Sequence, residues 1–264
     1  MAAELPPRPA DPFARLRSAT PARIGLGRAG AGLPTAPMLA FQSAHAQARD
    51  AVWTALDAEA LARALPGPAI VLDSAAHDRA TYLRRPDLGR RLSDPGALPQ
   101  RGAHDVALVI ADGLSAGAAQ TFAPEVVRAL MRRLAAWRFA PLIIVRQGRV
   151  AIGDEIGAAL GAAAVVVLLG ERPGLSAPES LGAYVTWSPR VGRRDAERNC
   201  VSNIRREGGL PCEAAAATIA WLLTEARRMG FTGVDLKDRQ SRGSLPAATG
   251  TLGVPNHAEP DASD

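Results

Sequence analysis

The sequence predicts an α/β fold: a mainly parallel sheet covered by helices, preceded by a smaller helical and irregular N-terminal region. Three observations carry this. Apolar runs of five to eight residues alternate with segments of helical periodicity. The runs lack strict in/out alternation, as strands covered on both faces do. And the glycine- and proline-rich stretches concentrate outside the periodic segments.

The elements follow in order. Residues 1–12 are proline-rich and read as a disordered arm. "DPFARLRSAT" reads as a short helix with Asp11 as cap and Pro12 at its first position. "PARIGLGRAGAGLPTAP" is irregular and wraps a surface. "TAPMLAFQSAHAQARDAVWTAL" reads as a helix, with Leu39, Ala46, Val52 and Leu56 at roughly helical spacing. Residues 58–65 are helical again, up to Pro66. Strands are expected at "AIVLDS" (69–74), at the start of "HDVALVIADGLSAGAAQ" (104–120), in "APLIIVRQG" (140–148) and in "AAAVVVLLGE" (162–171). Helices are expected at 125–137, at "GDEIGAAL" and at 211–230, the last stopped by Gly230. The expected divisions are an arm at 1–20, a helical and wrapping region at 21–95, an α/β domain at 96–240 and a tail at 241–264.

Composition excludes several function classes. The net charge is +5 over 264 residues, lysine occurs once, at Lys237, and no block of five like charges appears. That is a poor footprint for nucleic acid. "MAAELPPRPADPF" has no apolar core of a signal peptide, and "GAAAVVVLLG" is too short to span a membrane. Two cysteines, Cys200 and Cys212, make no disulfide framework. A soluble, reduced, cytoplasmic chain is expected. His45, His77, His104 and His257 have no metal-ligand spacing.

Ligands of open parallel sheets sit beyond the C-terminal strand ends. That rule selects Asp73, "ADGLS" at 111–115, "RQGR" at 146–149 and "GERPG" at 170–174. "GLGRAGAG" at 25–32 fits G-x-G-x-x-G but follows no strand, so it reads as a wrapping loop. Asp112 is expected to cap the helix after its strand. Ser115 has only half of the G-x-S-x-G elbow, although a hydrolase using it stays open. Glu171 either receives ligand donors or pairs with Arg172 or Arg190. Cys200, in "ERNCVSNIR", has Arg198 and Arg205 nearby, which would depress its thiol pKa if close in space. No histidine base is near, and a packed contact in a cleft is the simpler role. The residues thus describe a binding subunit whose chemistry comes from a cofactor or a partner chain.

Several long motifs, in order, resemble the small subunit of ethanolamine ammonia-lyase. They are "TPARIGLGRAGAGLPTAPMLAFQSAHAQARDAV", "VIADGLSA", "VRQGRVAIGDEIG", "LLGERPGLSAPESLGAY", "DAERNCVSNIRREG" and "GFTGVDLKD". They cover roughly residues 20–238. The resemblance implies an adenosylcobalamin-dependent lyase that converts ethanolamine to acetaldehyde and ammonia by radical chemistry. It implies a TIM-barrel large subunit carrying most catalytic residues, and an α6β6 assembly. It implies cofactor contacts at Val150, Glu171 and Cys200: an apolar edge, a hydrogen-bond acceptor and a packed thiol. No catalytic residue and no metal ligand is implied on this chain. D-x-H-x-x-G, whose histidine displaces the nucleotide base from cobalt in other cobalamin proteins, is missing, which agrees with base-on binding. Twenty residues precede "PARIG", where enteric members carry a longer microcompartment-targeting extension. A cytoplasmic address is expected, with a bacterial microcompartment as the alternative. The contrasting reading is a non-catalytic α/β binding or scaffold protein that has lost cobalamin function.

Overall fold

The structure is a computed structural model that describes residues 11–20 and 22–238. The first half of the expected N-terminal arm, residues 1–10, and all of the expected tail at 241–264 lie outside the described residues. Helices α1 (Ala14–Ala19), α2 (Thr35–Trp53) and α3 (Ala58–Ala64) come first, then strand β1 (Ala69–Asp73) and helix α4 (Arg79–Arg84). Next come β2 (His104–Ala111), α5 (Ala116–Arg133), β3 (Leu142–Arg146), α6 (Ile152–Leu160) and β4 (Ala162–Gly170). The chain closes with β5 (Leu181–Trp187), β6 (Asn199–Ile204) and α7 (Cys212–Met229). Gly230 ends α7 in the left-handed conformation.

One six-stranded sheet runs in the order β1-β3-β2-β4-β5-β6. The first four strands in that order are parallel, and β5 and β6 add antiparallel. The α/β expectation therefore holds, with a mixed sheet. Its first strand comes from residue 69, upstream of 96. No strand is expected from "LGAYVTW", and "ERNCVSNIR" lies outside any clear apolar run, yet the first is β5 and the second contains all of β6.

The central strands send alternate residues to two cores. Val106, Leu108 and Ile110 of β2 join Val166 and Leu168 of β4 under the helices α3, α5 and α7. Val109, Val165 and Val167 join Ile152, Ile156 and Leu160 of α6 on the other face. This follows from right-handed crossovers. The chain moves one way from β2 to β3 and the opposite way from β3 to β4, so α5 and α6 fall on opposite faces. The adjacent C-terminal ends of β2 and β3 thus form a switch point, where open sheets leave a crevice.

Helix α2 forms where its periodicity predicts, but it buries no residue. Leu39, read as part of its apolar stripe, is 58% exposed. Asp11 does not cap α1, which begins two residues later than expected. Its carboxylate accepts from the Phe13 amide instead (2.9 Å).

Candidate functional site

A cleft with a volume of about 820 Å³ opens at this switch point. It is built from three of the four strand ends that the sequence selects. Leu114 follows β2, Arg149, Val150 and Ala151 follow β3, and Glu171 and Arg172 follow β4. Tyr184 of β5 and Tyr82 of α4 complete the walls. Asp73, the fourth selected position, pairs with Arg146 (3.2 Å) and lines a separate cavity with Gln147.

Val150 and Glu171 line the same cleft. Cys200 stands across the β5–β6 ladder from Tyr184, which lines it. The structure therefore brings two of the three residues together and places the third one strand further out. Glu171 is fixed by its own chain. Its Oε2 accepts from the Ser180 hydroxyl (2.7 Å) and from the Asn203 amide (3.1 Å). Asn203 sits at φ +58°, in the left-handed region. Thus Glu171 also holds the bend of β6, the strand that carries Cys200. Its Oε1 takes no hydrogen bond among the described residues. Neither Arg172 nor Arg190 pairs with it.

The arginines beside Cys200 in sequence are engaged elsewhere. Arg198 is buried in a bidentate pair with Asp154 (2.6 and 2.7 Å). Arg205 donates to the Gly208 carbonyl (2.9 Å). Cys200 is an exposed residue, but its sulfur is partly desolvated at the sheet surface. Desolvation pushes its thiol up, Tyr184 opposes this, and Glu171 adds to it. The depressed thiol pKa considered from sequence is not found. Cys200 is expected to alkylate with a pH midpoint above the ~8.5 of a free thiol, read from iodoacetamide rates against pH. A midpoint near 7 would reveal an activated thiolate. Cys212 is buried, and burial pushes its thiol up to about 11.

Ser115 is wholly buried and caps α5, accepting from the Ala118 amide (3.4 Å). It has no route to a substrate, so the hydrolase alternative has no structural support. Asp112 does not cap α5. Its carboxylate reaches across to the loop after β3 and accepts from the amides of Gln147 (3.0 Å) and Gly148 (3.1 Å). Burial pushes its carboxyl up to about 6, opposed by those amides and by Arg79. The glycines of the two crest motifs are filled by the chain itself. A Cβ on Gly113, at φ +55°, would lie 2.2 Å from the Gly170 carbonyl oxygen, and one on Gly148 would lie 2.8 Å from the Ala111 Cβ. They let strand ends cross closely, and need no ligand to explain them.

Sequence reasoning missed the aromatic and cationic parts of the site. Tyr82 is buried between two guanidinium groups, Arg79 at 4.7 Å and Arg149 at 4.2 Å from its ring centre. Burial pushes its hydroxyl up to about 12. Arg90, Arg172 and Arg194 add exposed positive charge at the rim. The i, i+3 spacing of Arg79 and Tyr82 on α4 was the only available signal. Among the described residues there is no cluster of three or more metal-ligating side chains, and no helix long and apolar enough to cross a membrane. The arrangement can bind a large, amphiphilic molecule: apolar Val150, Leu114 and Leu169, one open carboxylate oxygen, and a cationic rim. It offers no nucleophile with a base.

Comparison with known proteins covers almost the whole chain. The family model for the ethanolamine ammonia-lyase light chain matches residues 10–237. The chain is 51% identical over 264 residues to the ethanolamine ammonia-lyase small subunit of Xanthomonas campestris pv. campestris, covering 96% of each chain. It is 52% identical over 256 residues to the small subunit of the same name from Azotobacter vinelandii, covering 92% of this chain and 94% of that one. With that of Pseudomonas syringae pv. tomato the identity is 49% over 249 residues, covering 90% and 86%. The chain belongs to the ethanolamine ammonia-lyase light-chain family.

Proposed function

We propose that this chain is the small subunit of an ethanolamine ammonia-lyase and that its switch-point cleft contacts adenosylcobalamin, bound base-on, where a TIM-barrel large subunit closes over it. The observation that carries the reading is a coincidence of place. The family match spans the whole cleft, and Val150 and Glu171 are two of its lining residues. The residues present fit the cofactor. An apolar wall suits the edge of a corrin, and the open Glu171 Oε1 suits the amide donors on its periphery. When bound, adenosylcobalamin supplies a radical source through its cobalt–carbon bond, for deamination of ethanolamine to acetaldehyde and ammonia.

This chain's own part is to bind, orient and exclude water. Val150 packs, Glu171 accepts hydrogen bonds, and Cys200 supports the wall through Tyr184. Its protonated thiol acts neither as nucleophile nor as cobalt ligand. Substrate-level acid–base work falls to the large subunit. The reading carries with it an α6β6 assembly and a cytoplasmic address, with a microcompartment as the alternative.

The test mixes this chain with the large subunit, ethanolamine and adenosylcobalamin, and follows acetaldehyde. Activity is expected only when both chains are present. A cobalamin-competent large subunit that stays inactive with this chain, or that is fully active without it, would overturn the reading.

A further inference from the structure

We propose that Asp112 is the positioning residue of the cleft: its carboxylate clamps the left-handed turn at Gln147–Gly148 and so sets the direction in which the backbone delivers Val150. This rests on the cofactor reading above and deepens it. Gln147 has φ +56°, a conformation disfavoured for a non-glycine residue that persists only when its surroundings impose it.

Here the surroundings hold both backbone polar groups of Gln147 and its side-chain oxygen. Its amide donates to Asp112 Oδ2 (3.0 Å), its carbonyl accepts from the Ser74 hydroxyl (2.8 Å), and its Oε1 accepts from Arg79 (3.2 Å). The next amide, of Gly148, donates to Asp112 Oδ1 (3.1 Å), and the Gly148 carbonyl accepts from the Tyr82 hydroxyl (3.3 Å). Asp112 itself is 2% exposed. The only residue between this clamp and Val150 is Arg149, whose amide is fixed by the Gly89 carbonyl (2.7 Å).

The clamp needs the ionised form. Two carboxylate oxygens each receive one N–H, so a proton on either would set donor against donor. The charged and titratable groups facing Asp112 are Arg79 and Tyr82 of α4, and Arg149 of the loop lies over the Tyr82 ring. Arg79 lies 3.7 Å away and favours the anion, while burial favours the proton, which brings the balance close to pH 6.

The sign separates positioning from mere stability. Asp112 binds a proton more readily in the folded chain than unfolded, so this group alone makes the fold more stable as pH falls from 7 towards 4. Ligand affinity should move the opposite way, because the protonated clamp releases the turn.

The experiment measures cyanocobalamin affinity of the complex with the large subunit between pH 5 and 8, by absorbance titration. Amide exchange at Gln147 and Gly148 is followed in parallel on the corrinoid-free complex. Wild type should lose about tenfold in affinity from pH 7 to pH 5. Asp112→Asn, which keeps the shape but presents a donor, should bind about tenfold more weakly at pH 7, lose that pH dependence and exchange faster at both amides, without being less stable. Arg79→Gln should move the wild-type midpoint to higher pH, which keeps the proposal testable if Asp112→Asn does not fold. Unchanged affinity and pH profile in Asp112→Asn overturns the positioning role while leaving the cofactor reading intact. No corrinoid binding at any pH overturns the cofactor reading, and this inference with it, even if the exchange responds.

Discussion

Replacing Arg198 with alanine is expected to destabilise the chain by about 3–5 kcal/mol, lowering Tm by on the order of 10 °C for a chain of this size. Arg198 and Asp154 are 3% and 2% exposed at their side chains. The pair is bidentate, and Arg198 also donates to the Thr186 hydroxyl (2.9 Å) and the Arg193 carbonyl (3.0 Å). It joins the first turn of α6 to β5 and to the start of β6. Removing the arginine leaves the Asp154 carboxylate buried without its partner, which is the costly half of any buried ion pair. Asp195, 3.6 Å from Arg198 Nε but 97% exposed, cannot take over from Asp154 as the partner of Arg198. Asp154→Ala should cost a similar amount for the mirrored reason. The double replacement Asp154→Leu with Arg198→Met should recover much of the loss, because it removes both charges and fills the space. Urea unfolding of the three variants checks this. A loss under about 1 kcal/mol in Arg198→Ala would mean that water reaches the pair and that it does not hold β6 to α6.

How much of this is legible in the sequence depends on how far apart the partners lie. Strands β1 to β4 are readable because parallel strands covered on both sides are continuous apolar runs, as in "VALVI" and "VVVLL". Strand β6 is not, because most of its residues are left uncovered. Only Val201 and Ile204 are buried in it, and a register shift opposite Leu181–Ala183 breaks its period. Its cysteine therefore lies outside any clear apolar run of the sequence, although Tyr184 stands directly across the ladder. The strand-end rule located the cleft, since it needs only the order of elements. It could not say which side chains hold the crest. Asp112 works on amides 35 and 36 residues away, and Arg198 on a carboxylate 44 residues away. Local spacing offered the nearer explanations, a helix cap and a thiol activated by arginine, and both lost to contacts made only by the folded sheet. Helix α2 shows the converse limit. Its periodicity was readable, but periodicity does not reveal whether the apolar stripe meets this chain's own core.

Glu171→Gln is expected to weaken cobalamin binding to the assembled enzyme roughly ten- to hundredfold, the equivalent of one charge-assisted hydrogen bond of about 1.5–3 kcal/mol, with little change in the stability of the chain. The two oxygens of Glu171 have different duties. Oε2 serves Ser180 and Asn203, and Oε1 is the one left to a ligand. Glutamine satisfies the protein's own contacts with its amide oxygen and then turns its NH2 towards the cleft. An acceptor becomes a donor where the corrin's amides would also donate. Glu171→Ala should do worse in a different way, because the Asn203 amide loses its acceptor and the left-handed bend of β6 loses its support. Comparing the two separates ligand contact from scaffolding. Gly182→Ala gives a third arm, since its new Cβ would sit 2.9 Å from Glu171 Oε1 and displace that oxygen without removing its charge. It should weaken binding while leaving the Ser180 and Asn203 contacts in place. Equilibrium titration with a corrinoid, beside thermal unfolding of the same samples, reads both quantities. If Glu171→Gln and Gly182→Ala both bind like the parent chain, Oε1 does not touch the cofactor, and the carboxylate is there for β6 alone.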